Sequence, residues 1–394
     1  MSKVKNLHSF TIGELLPVEQ FDRGKHYVKV INESKQHRSM VYKEGLNVDV
    51  KPFNDDPTVS CVEGRICFTT LEFLPSFCNH VTLIAELTIP EDAKLILDPS
   101  RSKYGADKIN IIKFWDMNDF LEYVGYTEIS WAADFSRLKS ARGLEDLKSI
   151  GGRACFDSLE TAEGLECLES IGGDAHFDNL TTAEGLEYLE SIGGDAYFGG
   201  LTTAKGLDRL ESVGGDAHFD NLTTAKGLEC LESIGRRACF DSLETAEGLE
   251  CLESIGGSAD FFTLGTAEGL DRLESIGGDA YFSDLTTAEG LENLQSIGSD
   301  AYFGDLTTAE GLECLESIGG DAYFGDLTTA EGLDRLESIG GDAYFGNLTT
   351  AEGLECLESI GGDAYFDCLE TAEVAHIKVD GKLFTMEKSD ESNG

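Results

Sequence analysis

The sequence predicts a mainly β repeat solenoid, one short strand per 21-residue coil, fronted by a small α+β or β-rich N-terminal domain. Three observations carry this. Gly-Leu pairs open at 143, 164, 185, 206, 227, 248, 269, 290, 311, 332 and 353, eleven units at a period of 21 without an insertion. Repeats of that length signal stacked supersecondary units. The apolar positions of the second unit are Leu165, Leu168, Ile171, Ala175, Phe177, Leu180 and Ala183, mostly three apart with one gap of two. Composition also changes sharply between about 120 and 143: all six prolines and both tryptophans precede the repeats.

The gap of two places Ala175 and Phe177 on one side of a strand, with Asp174 and His176 on the other. Gaps of three fit tight extended or 3₁₀-like turns better than an α-helix. The Gly-Gly after each Ile permits a sharp corner. Thr181 followed by Glu184 leaves open a short helical turn behind each coil. A 21-residue unit cannot bury its own apolar face, whereas stacked coils make a continuous Leu, Ile, Ala and Phe core.

Ends of an array expose core edges and need covers. Phe135, Leu138 and Ala141 share the register of Phe156, Leu159 and Ala162. The expected layout is therefore an N-terminal β-rich module over 1–125, an incomplete capping coil over 126–142, eleven repeats over 143–373, and a C-terminal capping hairpin and polar tail over 374–394. Asp380-Gly381 supplies the hairpin signal.

The chain has 394 residues and a net charge of -44. From Gly143 to Glu373 there are 50 acidic residues against 9 Lys and Arg, so the acidity belongs to the repeats. Direct nucleic-acid binding through a general basic surface is excluded, because phosphate neutralisation needs Lys and Arg clusters. The first ten residues have no apolar run long enough for a signal peptide, and eighteen consecutive apolar residues occur nowhere, so a soluble, non-secreted, intracellular protein without membrane attachment is expected. Eleven cysteines with no CxxC pair support neither a disulfide framework nor a zinc ribbon. No cofactor and no metal is expected.

Stacking turns each outward position into a column. One column ends in Tyr281, Tyr302, Tyr323, Tyr344 and Tyr365, after Cys155, His176, Tyr197, His218, Cys239 and Asp260. Two residues earlier, Asp279, Asp300, Asp321, Asp342 and Asp363 follow Arg153, Asp174, Asp195, Asp216, Arg237 and Ser258. Like charges one strand apart repel by roughly 1 kcal/mol in water, which invites basic side chains. These ten Tyr and Asp residues are the candidate partner-binding face, Tyr supplying rigid contact area and Asp selecting a protein with a basic surface. The plainer reading is a stabilising Tyr ladder with solubilising Asp, copied by duplication: RACFDSLETAEGLECLESIGG occurs at 153–173 and again at 237–257. Cys167, Cys230, Cys251, Cys314 and Cys356 share a further column that also holds Tyr188, Arg209, Asn293 and Arg335, a tolerant surface position.

In the N-terminal region, apolar runs at Val28 to Ile31, Ile66 to Phe68, Val81 to Ile89, Leu95 to Leu97 and Ile109 to Phe114 read as strands. Its titratable candidates are His26, His37, His80, Cys61, Cys67, Cys78, Asp92 and Asp107. The gaps within Cys61, Cys67, Cys78 and His80 match no common zinc spacing, so core cysteines and surface histidines are expected. No phosphate loop, nucleophile elbow or dinucleotide fingerprint is present.

The pattern Leu-x-x-Leu-x-x-Ile-Gly-Gly-x-Ala-x-Phe-x-x-Leu resembles leucine-rich repeats, particularly those of receptor L-type domains, over about 240 residues. It departs from them in having Ala and Phe on the strand and no regular Asn ladder. Tyr42 to Asn47, Phe53, Cys61, Gly64 to Thr69, Ile89 to Ala93 and Lys103 to Lys108 resemble an uncharacterised module at the front of ankyrin-type and other repeat proteins of giant, mimivirus-like viruses. That resemblance implies a viral repeat protein of the host cytoplasm or virion and brings no known activity. The function expected is a non-enzymatic protein–protein interaction scaffold. The alternatives are an acidic nucleic-acid mimic that occupies DNA-binding proteins, and an N-terminal catalytic module targeted by the solenoid.

Overall fold

A computed structural model describes residues 17–80, 83–371 and 373–385. The chain divides into compact units 1–177 and 178–394, and the repeats form a parallel β-solenoid of about twelve turns.

The first unit begins with nine strands: β1 (Tyr27–Ile31), β2 (Gln36–His37), β3 (Met40–Val41), β4 (Gly45–Val48), β5 (Ile66–Phe68), β6 (Leu83–Thr88), β7 (Leu95–Leu97), β8 (Tyr104–Ala106) and β9 (Lys108–Asp116). An antiparallel sheet in the order β1-β6-β9-β4 lies beside a smaller sheet, β5-β8-β7, and a β2-β3 hairpin. Alternation decides which side is core: Ile109 and Ile111 of β9 are buried and Ile112 is exposed. Tyr27, Phe68, Leu87 and Tyr104 join them in one cluster. Asn47 is buried because its side chain closes a local turn, accepting the Lys43 N–H at 3.0 Å and donating to the Lys43 carbonyl at 2.7 Å.

The strands expected from apolar runs are matched by β1, β5, β6, β7 and β9, and a helix, α1 (Met117–Val124), is added. Asp116 caps it by accepting the Asn118 N–H, and Gly125, at φ +58°, ends it. Met117, Phe120, Leu121 and Val124 form its buried stripe. Its other contacts cover the first coil. Asn118 donates to the carbonyls of Ser140 and Arg142, while the Arg142 guanidinium meets Asp119 at 2.7 Å and Glu122 at 3.0 Å.

Each coil carries two strands rather than the one expected. Glu128–Ile129 pairs in parallel with Ser149–Ile150, and Ala133–Asp134 with Ala154–Cys155. The extra strand is the Ser-Ile step, Ser-Val in one coil, before the glycine corner; being two residues long, it shows no alternation in the sequence. Between strands the chain makes successive tight turns, Leu144 N–H to the Ala141 carbonyl at 2.9 Å and Leu147 N–H to Leu144 at 2.8 Å. These are the turns of three expected from the spacing.

The second unit repeats this geometry from Ser191–Ile192 and Ala196–Tyr197 onward. In one coil, Leu312, Leu315, Ile318, Ala322, Phe324, Leu327 and Ala330 are all sealed from solvent. The phenylalanines stack coil on coil, with Phe303 and Phe324 centroids 5.2 Å apart. No helical turn forms behind the coil: Thr182 accepts the Glu184 N–H in a local turn. Threonines add a third line of bridges, such as Thr203 to Thr224 to Thr245.

The Gly-Leu glycine is required twice over. Gly311 has φ +104°, and a Cβ there would lie 2.1 Å from the Ala288 carbonyl oxygen of the preceding coil. Its N–H is held by the acid two residues on, Glu313 Oε1, at 3.1 Å. Glu166, Glu187, Glu250 and Glu355 do the same for their glycines. Part of the acidity is therefore turn chemistry.

The C-terminal hairpin does not form. Lys378–Val379 pairs in parallel with Ser359–Ile360, and Leu383–Thr385 with Ala364–Phe366. The segment is a further coil, two residues short, whose Val374 and Ile377 extend the core. Gly381 takes the place of Gly362 at the corner, its N–H reaching the Gly362 carbonyl at 3.0 Å. The Asp-Gly turn signal thus belongs to a solenoid corner. The polar tail expected over 386–394 lies outside the described residues.

Candidate interaction face

From Ala280–Tyr281 onward, the Ala-Tyr strand of each repeat through Tyr365 points Ala into the core and Tyr outward. Parallel pairing sets Tyr281 on Tyr302, Tyr302 on Tyr323, Tyr323 on Tyr344 and Tyr344 on Tyr365. Their rings stack nearly parallel with centroids 4.6 to 4.9 Å apart. Phe384 extends the stack at 4.6 Å from Tyr365. Sequence reading missed Phe384 because the last coil is two residues short and takes it out of the 21-residue register.

The Asp column is in place beside the rings. Asp279, Asp300, Asp321 and Asp342 each accept the hydroxyl of the tyrosine two residues on, at 3.2 to 3.3 Å through Oδ2. Oδ1 accepts a backbone N–H from the following coil: Asp300 on Asp279 at 3.2 Å, Asp321 on Asp300 at 2.8 Å, Asp342 on Asp321 at 2.7 Å, Asp363 on Asp342 at 2.6 Å. Asp363 holds the Lys382 N–H at 2.7 Å. Each carboxylate is therefore both a surface charge and a link between coils. Burial, then the adjacent Asp charge, raises the phenol pKa of Tyr281, Tyr302, Tyr323, Tyr344 and Tyr365 above the ordinary value. Hydrogen bonds from Ser299 and the Asp300 N–H hold Asp279 below the usual carboxylate value, against the desolvation that raises it.

The column is interrupted upstream. Tyr197 stacks on His218 at 4.8 Å, but Cys239 and Asp260 stand between these rings and Tyr281. Asp260 is fully buried and paired with Arg237, which occupies an Asp-column position. An acid thus stands in the Tyr column of one coil and a base in the Asp column of the coil before it.

Other sequence candidates lie apart from this face. Cys167, Cys230 and Cys356 are exposed, and Cys251 and Cys314 half-buried. Asp92 is exposed and pairs with Lys108 at 2.6 Å, and Asp107 accepts the Lys94 N–H at 2.8 Å. His26 meets Glu86 at 2.7 Å. Cys78 is buried and donates to the Leu74 carbonyl, whereas Cys61 and Cys67 come together with His37 at one cavity. Sequence spacing alone did not separate that pair from Cys78.

The stacked coils define a parallel β-solenoid repeat protein. An 88-residue stretch, 22% of the chain, is 35% identical to a putative ankyrin repeat protein of Acanthamoeba polyphaga mimivirus and covers 44% of that protein. A 98-residue stretch, 24% of the chain, is 32% identical to an uncharacterized protein of the same virus and covers 70% of it. The chain belongs to the family of this second mimivirus protein, and it spans less than half of the first. No family model matches the chain. Among solved structures, the pneumococcal vaccine antigen PcpA is similar at 10% identity and a TM-score of 0.17, over 61% of this chain and 72% of that one; so low a score carries no argument. Among the described residues no helix is long and apolar enough to cross a membrane.

Proposed function

We propose that this chain is a non-enzymatic interaction scaffold of a mimivirus-like virus, and that its Tyr and Asp columns bind a protein partner through a basic segment. The observation that supports this reading is the uninterrupted stack from Tyr281 to Phe384, with one carboxylate beside each of its five tyrosines. The stack is ordered before any partner arrives, so little side-chain entropy is lost on docking. Its carboxylates spend their oxygens on Tyr hydroxyls and backbone N–H groups, so they attract a cation as a line of charge more than as free acceptors. Arg suits such a surface, since its guanidinium stacks on aromatic rings and carries a permanent charge. The leucine-rich-repeat likeness and the viral N-terminal module belong to this same reading, as does a place in the host cytoplasm or virion.

The test is binding of a fluorescent oligo-arginine peptide, followed by anisotropy at increasing NaCl. Replacing Tyr281, Tyr302, Tyr323 and Tyr344 by Ala is expected to weaken binding about tenfold or more, as loss of aromatic anchors does. Phe at the same positions is expected to retain most of it. If the Ala protein binds as well as the parent at every salt concentration, the face is not the site. Displacement of DNA from a basic DNA-binding protein, unaffected by the Ala changes, would favour the nucleic-acid mimic.

A further inference from the structure

The N-terminal domain holds a cavity of about 380 Å³, lined among others by Lys29, His37, Cys61, Cys67, Phe77 and Lys103. Two thiols stand in its wall, Cys61 Sγ and Cys67 Sγ, hydrogen-bonded at 3.0 Å. Basic side chains surround them, although burial lowers the Lys29 pKa. Lys29 is almost fully buried and donates to the Cys67 carbonyl at 2.9 Å, the Arg38 guanidinium donates to the Cys61 carbonyl, and Lys103 lines the same cavity. Cys61 is held in the left-handed region at φ +45°, an uncommon backbone for a residue with a side chain. Asp98 fixes that loop, accepting from Ser60 Oγ at 2.9 Å, the Cys61 N–H at 3.3 Å, and Ser100 N–H and Oγ at 3.0 and 2.7 Å.

From this geometry we infer that Cys61 and Cys67 are a redox-active dithiol that exchanges with small disulfides of the glutathione class entering the cavity. Cys61 is the attacking thiol and Cys67 the resolving one. The Cys61 thiolate attacks one sulfur of the disulfide, forming a mixed disulfide and expelling one thiolate. Cys67 then loses its proton and attacks Cys61 Sγ; the intramolecular disulfide forms and the second thiolate leaves. The protein gives up two electrons and two protons, and the small disulfide becomes two thiols. The hydrogen bond from Cys67, with help from Lys103 and against desolvation, lowers the Cys61 pKa, while that same bond and burial raise Cys67. This asymmetry suits the two roles.

Asp98 completes a group of three potential ligands with the two thiols, but a metal fits less well. Two thiolates on tetrahedral zinc stand about 3.8 Å apart, and the Asp98 oxygens already serve Ser60, Cys61 and Ser100.

The test uses the full chain, reduced and then exposed to glutathione disulfide and glutathione at fixed ratios, alkylated and mapped by mass spectrometry. Cleavage after Arg65 separates the two cysteines. A Cys61–Cys67 cross-link that rises with the disulfide ratio and is reversed by dithiothreitol is expected. In Cys67→Ser, whose hydroxyl keeps a donor facing Cys61 Sγ beside Lys103, glutathione should accumulate on Cys61 about tenfold faster than on exposed Cys356, as a lowered thiol pKa implies. In Cys61→Ser, Cys67 should stay unmodified, with circular dichroism confirming that both variants fold. Modification of Cys61 no faster than Cys356 would overturn the inference. So would one equivalent of zinc, added alone, that protects both thiols of the parent from alkylation.

Discussion

Asp342 binds the coil that follows it: its Oδ1 accepts the Asp363 backbone N–H at 2.6 Å while its Oδ2 accepts the Tyr344 hydroxyl at 3.3 Å. A column of like charges, unfavourable by Coulomb's law, is thus held together by the hydrogen bonds those charges make. The two contributions are separable. Asp342→Asn keeps a carbonyl acceptor and removes the charge, so the melting temperature should hold or rise slightly at low salt. Asp342→Ala leaves the Asp363 N–H unpaired and should cost about 1–3 kcal/mol. Thermal melts of both variants decide it; equal losses would mean that charge, not hydrogen bonding, is what the column contributes.

The tyrosines make the array sensitive to alkali. Their phenols titrate above the ordinary value because burial and the neighbouring Asp disfavour the phenolate. A folded-state pKa raised above the unfolded value of about 10 gives stability that is complete below that pH. It is lost as pH rises through the folded pKa, because the unfolded chain releases the proton first. Urea midpoints should therefore fall between about pH 10 and the folded pKa, and fall less when Tyr302 and Tyr323 are both Phe.

Gly311 tests whether the period is set by backbone approach. With φ +104° and the Ala288 carbonyl oxygen only 2.1 Å from where a Cβ would stand, Gly311→Ala forces the two coils apart or twists the turn. A loss of roughly 2 kcal/mol or more is expected, above the ordinary strain of an alanine at positive φ. Gly265, which has open space around it, is the control, and Gly265→Ala should change the melting temperature little.

How far the sequence discloses this molecule depends on whether a feature recurs. Phe324, Leu327 and Ala330 are legible as core because the pattern repeats at 21, and so are the outward Tyr and Asp columns. The Ser317–Ile318 strand is not, since two residues carry no period and its pairing lies between coils. The bonds of Asp342 are likewise hidden, because an acid that links two coils has the same letter as one that only solvates a surface. Cys61 and Cys67 meet through the fold of a loop fastened by Asp98, thirty-odd residues away, which no local spacing reports.

Asp260 and Arg237 mark the break in the Tyr column, and their pairing between adjacent coils offers the sharpest test of how the array tolerates a defect. Asp260 is fully buried, its Oδ2 lies 2.6 Å from Arg237 Nε and 2.5 Å from Nη2, and its Oδ1 finds no hydrogen-bond partner among the described residues. Arg237→Ala would leave that carboxylate buried and uncompensated. The cost should be on the order of 3 kcal/mol, the low end for a broken buried pair because the guanidinium is half-exposed. Removing the buried charge as well, in Arg237→Asp combined with Asp260→Tyr, restores the residues found at these positions in the later coils. The double variant should regain most of the stability lost in Arg237→Ala, measured as the urea midpoint. If it is instead less stable than Arg237→Ala, the pair is matched to its neighbours Cys239 and Phe262, and the coil is a specialised unit instead of an imperfect copy.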